Sequence, residues 1–146
     1  MLVSKENITA YIPQKEPFIL VHRLMEASKE KLVSEFVVEE DCPLLDGDEL
    51  KEVGCIENMA QTVAAGFTYI DKEAAGEDAE PKIGFIGSVN KFVLNRKLKV
   101  NETLTTEVIP QMSFENITLV EASIYSNDEL IASCELKIAI VDDLGL

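Results

Sequence analysis

The chain has 146 residues, enough for one domain (1–146) with a real core, and its 47% hydrophobic and 27% charged residues are the balance of a soluble globular protein. A net charge of −14 argues against nucleic acid and anionic membrane as partners. Cys42, Cys55 and Cys134 are scattered without metal-type spacing, and no charged-then-apolar segment opens the chain, so reduced thiols and a cytoplasmic location are expected.

Residues Asn7 to Ile12 are long enough for one helical turn, ended by Pro13. Phe18 to Met25 is rich in strand formers, and Lys31 to Glu40 reads as a second strand after the turn Ser28-Lys29-Glu30. Cys42 to Leu50, with Pro43 and Gly47, is a loop leading into a helix. From Val53 to Ile70, apolar residues recur at Ile56, Met59, Ala60, Val63, Phe67 and Ile70, the spacing of a helix. Cys55, Ala64, Ala65 and Gly66 line much of its other side, so the helix is apolar nearly all round and belongs in a core. With Glu57, Asn58, Gln61 and two glycines it makes a poor membrane span. Gly76 closes the helical region, and Glu77 to Glu80 is an acidic, exposed connection.

Four strands are predicted next. Lys82 to Leu94 carries Gly84 and Gly87, marks of a bulge or a close backbone approach. Glu102 to Met112 and Ile117 to Tyr125 come after it, then a hairpin turn at Ser126-Asn127-Asp128. In the last strand Leu130, Ala132, Cys134, Leu136, Ile138 and Ile140 alternate with polar residues, a period of two with one buried face. The only element apolar enough to cover such an antiparallel sheet is the central helix, which makes this an α+β chain of hotdog architecture. One such sheet leaves an edge, so pairing of two sheets in a homodimer or larger assembly is expected.

Charge is unevenly spread. Glu39 to Glu52 holds seven acids and one lysine, whereas Pro81 to Asn101 holds five bases (Lys82, Lys91, Arg96, Lys97, Lys99) and no acid. The second segment is a candidate docking patch for an anionic partner. Glu57 is the only charge from Val53 to Ile70, and Gln61 lies one turn later on its face. A carboxylate in an apolar setting is paired, protonated or used. No calcium-loop, zinc or dinucleotide pattern is present, so no metal and no bound cofactor are expected.

Ile12-Pro13-Gln14-Lys15-Glu16-Pro17-Phe18-Ile19-Leu20-Val21-His22-Arg23 resembles the opening segment of the β-hydroxyacyl-[acyl-carrier-protein] dehydratases. Ile56-Glu57-Asn58-Met59-Ala60-Gln61 is similar to their carboxylate-bearing helix, and Asn90-Lys91-Phe92 with Lys97 to Leu104 to a later strand and turn. The resemblance covers nearly the whole chain in one order and is nearest the divergent branch linked to aryl polyene pigments. It implies a hotdog dimer that turns a 3-hydroxyacyl thioester into a trans-2-enoyl thioester, with the substrate carried on the phosphopantetheine of acyl carrier protein or coenzyme A. In that family a histidine removes the α-proton and the helix acid protonates the leaving hydroxyl. Glu57 matches the acid, and Gln61 the glutamine that holds it.

The chain departs from this pattern at the histidine. The loop before the helix reads Asp41-Cys42-Pro43-Leu44-Leu45, Gln14 stands where the opening motif has histidine, and the one histidine is His22. Glutamine is no base, so the two-residue mechanism needs His22 to reach the site. Gln61, Gly54, Gln14, Gly84 and Gly87 are the expected substrate contacts, with the amides from Val53 to Cys55 available to polarise the thioester oxygen. A thioesterase that uses Glu57 alone is the alternative. So is an accessory subunit whose histidine comes from a second hotdog chain.

Overall fold

The computed structural model describes residues 1–141. In chain order it holds a 3-10 turn at Ile8–Ala10, then strands β1 (Arg23–Ala27), β2 (Leu32–Val37), β3 (Leu45–Asp46) and β4 (Glu49–Leu50). Helix α1 (Glu52–Ala75) comes next, and then β5 (Ile83–Leu94), β6 (Thr103–Phe114), β7 (Ile117–Ser126) and β8 (Glu129–Val141). Six strands form one antiparallel sheet in the order β1-β2-β6-β7-β8-β5, with β3 and β4 as a separate ribbon. Helix α1 packs against all six. A sheet curled round one helix is the hotdog fold.

The alternation in the strands decides which face meets the helix. Phe36 on β2, Val120, Ala122 and Ile124 on β7, and Leu136 and Ile138 on β8 close over Met59 and Val63, both with 0% exposure. Burial of a side chain of that size contributes about 1.5–3 kcal/mol. Gly66 sets how close β2 comes, since a Cβ there would lie 2.6 Å from Leu32 Cδ2. At the far end Gly76, at φ 109°, donates its N–H to the Lys72 carbonyl at 2.8 Å and stops the helix as expected. Asn127 and Asp128, both at positive φ, make the β7–β8 turn.

Two segments differ from the sequence reading. The first sheet strand begins at Arg23 rather than Phe18, because the Phe18 carbonyl and both backbone groups of Leu20 bond to side chains of α1, and the Phe18 N–H to the Lys15 carbonyl, not to a neighbouring strand. The loop from Cys42 to Leu50 contains the β3–β4 ribbon, which lies on residues 98–100: Leu50 N–H donates to Leu98 O and Val100 N–H to Asp48 O. Lys72 is buried late in α1, and its Nζ donates to the carbonyls of Glu77 (2.7 Å) and Ala79 (2.6 Å), pinning the acidic connection. No helix among the described residues is long and apolar enough to cross a membrane.

Candidate active site

Glu57 sits in the second turn of α1, half-buried, with Gln61 one turn on and buried. Every polar atom of the Gln61 amide has an assigned partner. Its Oε1 accepts the Leu20 N–H at 2.8 Å, and its Nε2 donates to the Phe18 carbonyl at 2.9 Å and to Glu57 Oε1 at 3.1 Å. The two backbone bonds fix which end of the amide faces Glu57. Glu57 Oε1 therefore accepts. Val53, one turn before Glu57, and Phe18, whose carbonyl shares the Gln61 Nε2 with Glu57, are apolar side chains with 53% and 55% exposure.

His22 does not join this site. Its Nδ1 accepts the Val37 N–H at 3.1 Å, its Nε2 lies 2.8 Å from Glu39 Oε1, and its ring lies against Phe36 with centroids 4.6 Å apart. The acceptor role of Nδ1 puts the proton of the neutral ring on Nε2, where it serves Glu39. Neither nitrogen is left to take a proton from a substrate. Burial also pulls the His22 pKa below its ordinary value, against the opposing pull of Glu39. The base role that sequence reasoning allowed to His22 is thus withdrawn for this arrangement, because both ring nitrogens hold the chain's own groups.

Gly54 has a packing reason: a Cβ there would lie 2.5 Å from Leu50 Cδ1. Its N–H and that of Cys55 both donate to the Lys51 carbonyl, at 2.9 and 3.3 Å, so these two amides are engaged within the first turn of the helix. Gly84 and Gly87 lie on β5, where Gly87 falls at a register shift between Ile86 and Ser88 and Gly84 faces Ile138. Both are accounted for by the bulge and the close approach. Gln14 is different. Its Oε1 is buried and, among the described residues, the only such side-chain atom without a hydrogen-bond partner.

The sequence pattern of the ApeP-like family, ApeP dehydratase, matches residues 6–145. The chain belongs to this family. Among curated relatives of this ApeP-like chain, the 3-hydroxyacyl-[acyl-carrier-protein] dehydratase FabZ of Clostridioides difficile (strain 630) is 25% identical over 152 residues, spanning 97% of the chain and 99% of the relative. The dehydratase heterocomplex ApeI:P from Xenorhabdus doucetiae contains a chain that superposes with TM-score 0.83 at 18% identity, over 93% of this chain and 91% of that one. A hypothetical thioesterase of Streptococcus pneumoniae TIGR4, solved with coenzyme A, superposes at TM-score 0.60 and 9% identity, over 83% and 86%. The solved structures share the hotdog fold.

In this ApeP-like protein three bases of the basic segment lie against acids. Arg96 makes a two-point contact with Glu102 (2.9 and 3.0 Å) and a third bond to Glu129 (3.1 Å). Lys91 lies 3.4 Å from Glu135, and Lys82 lies 3.7 Å from Asp71. The acidic ribbon bridges onto Lys99 through the backbone of Glu49. Segments of opposite charge that are far apart in sequence meet in the fold. Lys97 and Lys99 are exposed and make no ion pair with a described residue.

Sequence reasoning passed over the polar residues around the acid. Asn58, fully buried, donates to the Leu20 carbonyl at 2.7 Å and accepts from the Thr106 hydroxyl at 2.6 Å. Thr62, also buried, donates to the Asn58 carbonyl at 2.8 Å and lies 2.7 Å from Ser34 Oγ. An asparagine inside an apolar helix, where its side chain is unfavourable, was the available signal.

Proposed function

We infer that this chain is one half of a dehydratase that removes water from a 3-hydroxyacyl thioester carried on the phosphopantetheine of acyl carrier protein or coenzyme A, with no cofactor of its own. Glu57 is the acid. A base removes the α-proton, the electron pair moves to form the α,β double bond, and the β-hydroxyl takes the Glu57 proton and leaves as water. By holding Oε1, Gln61 directs the proton-bearing oxygen outward, the positioning on which general acid catalysis depends.

The observation that carries this reading is the pairing of a held carboxylate with a locked histidine. The chain has one histidine, and it is engaged at both nitrogens. A second copy therefore supplies no free imidazole in this arrangement, so the base comes from a different chain. The outer strand β5 supports such a partnership. It is twelve residues long, lies at the sheet edge, and exposes Phe85 (47%), Val89 (37%) and Val93 (52%). A long, apolar, unpaired edge is a template for another strand. The exposed side chains of Val53, one turn before Glu57 on α1, and of Phe18, whose carbonyl shares the Gln61 Nε2 with Glu57, are further groups for a second chain or a substrate to cover. The two-chain dehydratase ApeI:P, whose chain shares the fold, fits the same arrangement.

The test is to incubate 3-hydroxyacyl thioesters on carrier protein with this chain alone, and with a second hotdog chain that carries a histidine. Enoyl formation and free thiol are both followed. Water loss is expected only with both chains, and Glu57→Gln in this chain should abolish it while the complex still forms. Full dehydration by the chain alone would overturn the two-chain reading. Thiol release without enoyl formation, lost in Glu57→Gln, would favour the thioesterase.

A further inference from the structure

We propose that Asn58, anchored by Thr106, is a positioning residue for the Glu57 acid. This rests on the catalytic reading of Glu57 and adds residues that the family resemblance does not supply. Three side chains on one helix face, Asn58, Gln61 and Thr62, are spaced so that they reach β2, β6 and the Phe18–Leu20 segment. Leu20 is gripped at both ends of its own residue: its N–H donates to Gln61 and its carbonyl accepts from Asn58.

The geometry makes a chain of dependence. Gln61 presents its N–H to Glu57 only while Leu20 N–H holds its Oε1 and Phe18 O takes its other amide proton. The place of Leu20 is set by Asn58, and the place of Asn58 by the Thr106 hydroxyl on β6, since the amide oxygen can accept that bond only with its NH2 turned to Leu20. All of these groups except Phe18 and Glu57 are buried, so a lost bond has no water to replace it, and an unpaired buried polar group is costly. Loosening Asn58 therefore frees Leu20, then the Gln61 amide, then the carboxylate.

Two variants separate this role from simple support of the fold. Thr106→Val removes the hydroxyl at nearly constant shape, and Asn58→Ala removes the grip on Leu20. Ile131→Val, a substitution at a fully buried position on β8 that takes no part in these hydrogen bonds, serves as the stability control. The active complex is assayed on a 3-hydroxyacyl pantetheine thioester, and the Gln61 side-chain NH2 signals are followed by nitrogen-resolved NMR. Asn58→Ala is expected to lower kcat by about tenfold to a hundredfold with KM little changed, as for a small misplacement of a catalytic group. Thr106→Val should move kcat in the same direction by less. The Gln61 NH2 protons should shift and exchange faster in both variants, and in neither respect should Ile131→Val behave like them.

Wild-type kcat in both variants would overturn the proposal, as would a loss that Ile131→Val reproduces at equal melting temperature. Should Asn58→Ala fail to fold, Thr106→Val decides by the same criteria. If the wild-type complex dehydrates no thioester, the catalytic reading of Glu57 falls. The clamp is then judged on the NMR signals: shifted Gln61 protons support it and unmoved ones sink it.

Discussion

Glu57 and His22 are both polar groups in largely apolar surroundings, yet the bonds around them differ. Glu57 has one oxygen held, while His22 has both nitrogens held. For His22 the consequence is a pH dependence of stability. Its pKa in the folded chain lies below the ordinary value because burial disfavours the charged ring. The unfolded chain thus takes up the proton first as pH falls. The stabilisation is fully present above about pH 6.5 and is lost on descending below it, as protonation also turns Nδ1 from acceptor to donor in front of the Val37 N–H. The melting temperature should drop as pH falls below about 6.5, and His22→Phe should flatten that slope in thermal scans. A slope unchanged in His22→Phe would assign it to the carboxylates. At neutral pH His22→Ala should cost about 2 kcal/mol, from an orphaned N–H and a lost ring contact, with little change in turnover by the folded protein.

Helix α1 and strand β5 work at the next scale, one by approaching closely and the other by staying uncovered. Gly66→Ala poses two effects of opposite sign. Alanine favours a helix interior by up to about 1 kcal/mol over glycine. The new Cβ would also lie 2.6 Å from Leu32 Cδ2, in a side chain with 0% exposure, and overpacking of this kind costs about 1–3 kcal/mol. The clash wins, so a net loss is expected in denaturant titration. The opposite holds on β5, where Phe85→Lys with Val93→Lys places charges at exposed edge positions. The melting temperature of the isolated chain should hardly move, while association measured by analytical ultracentrifugation should weaken at least tenfold, since edge lysines oppose strand pairing.

Across the whole molecule the charge is mixed more finely than along the sequence. Arg96 ties the β5–β6 connection to the start of β8, and its partner Glu102 also accepts the Lys99 N–H and the Ser126 hydroxyl. That contact holds the Glu102 pKa below the usual carboxylate value. Arg96→Glu should therefore lower the melting temperature, because it removes a structural knot. Lys97 and Lys99 are exposed and make no ion pair with a described residue, which makes them the positions to test for docking of an anionic carrier protein. Their reversal to Glu should slow association with carrier-linked substrate and leave a short pantetheine thioester unaffected, with added salt producing the same change over a Debye length of about 8 Å. Equal losses on both substrates would show that these lysines shape the site itself.

The sequence by itself determined the elements whose side chains repeat with the backbone's own period. The buried helix closed by Gly76, the alternating last strand and the wrapped sheet come from that local rule, as does the placing of Gln61 one turn from Glu57. Only the tertiary structure decided what depends on contacts between distant residues. It ended the expected strand at Phe18 to His22 by giving Phe18 and Leu20 partners on the helix. It locked His22 between Glu39 and Val37, and it set acids from other segments against Lys82, Lys91 and Arg96. A hydrogen bond or an ion pair is made by whichever group lies within about 3–4 Å, and spacing along the chain carries no record of that.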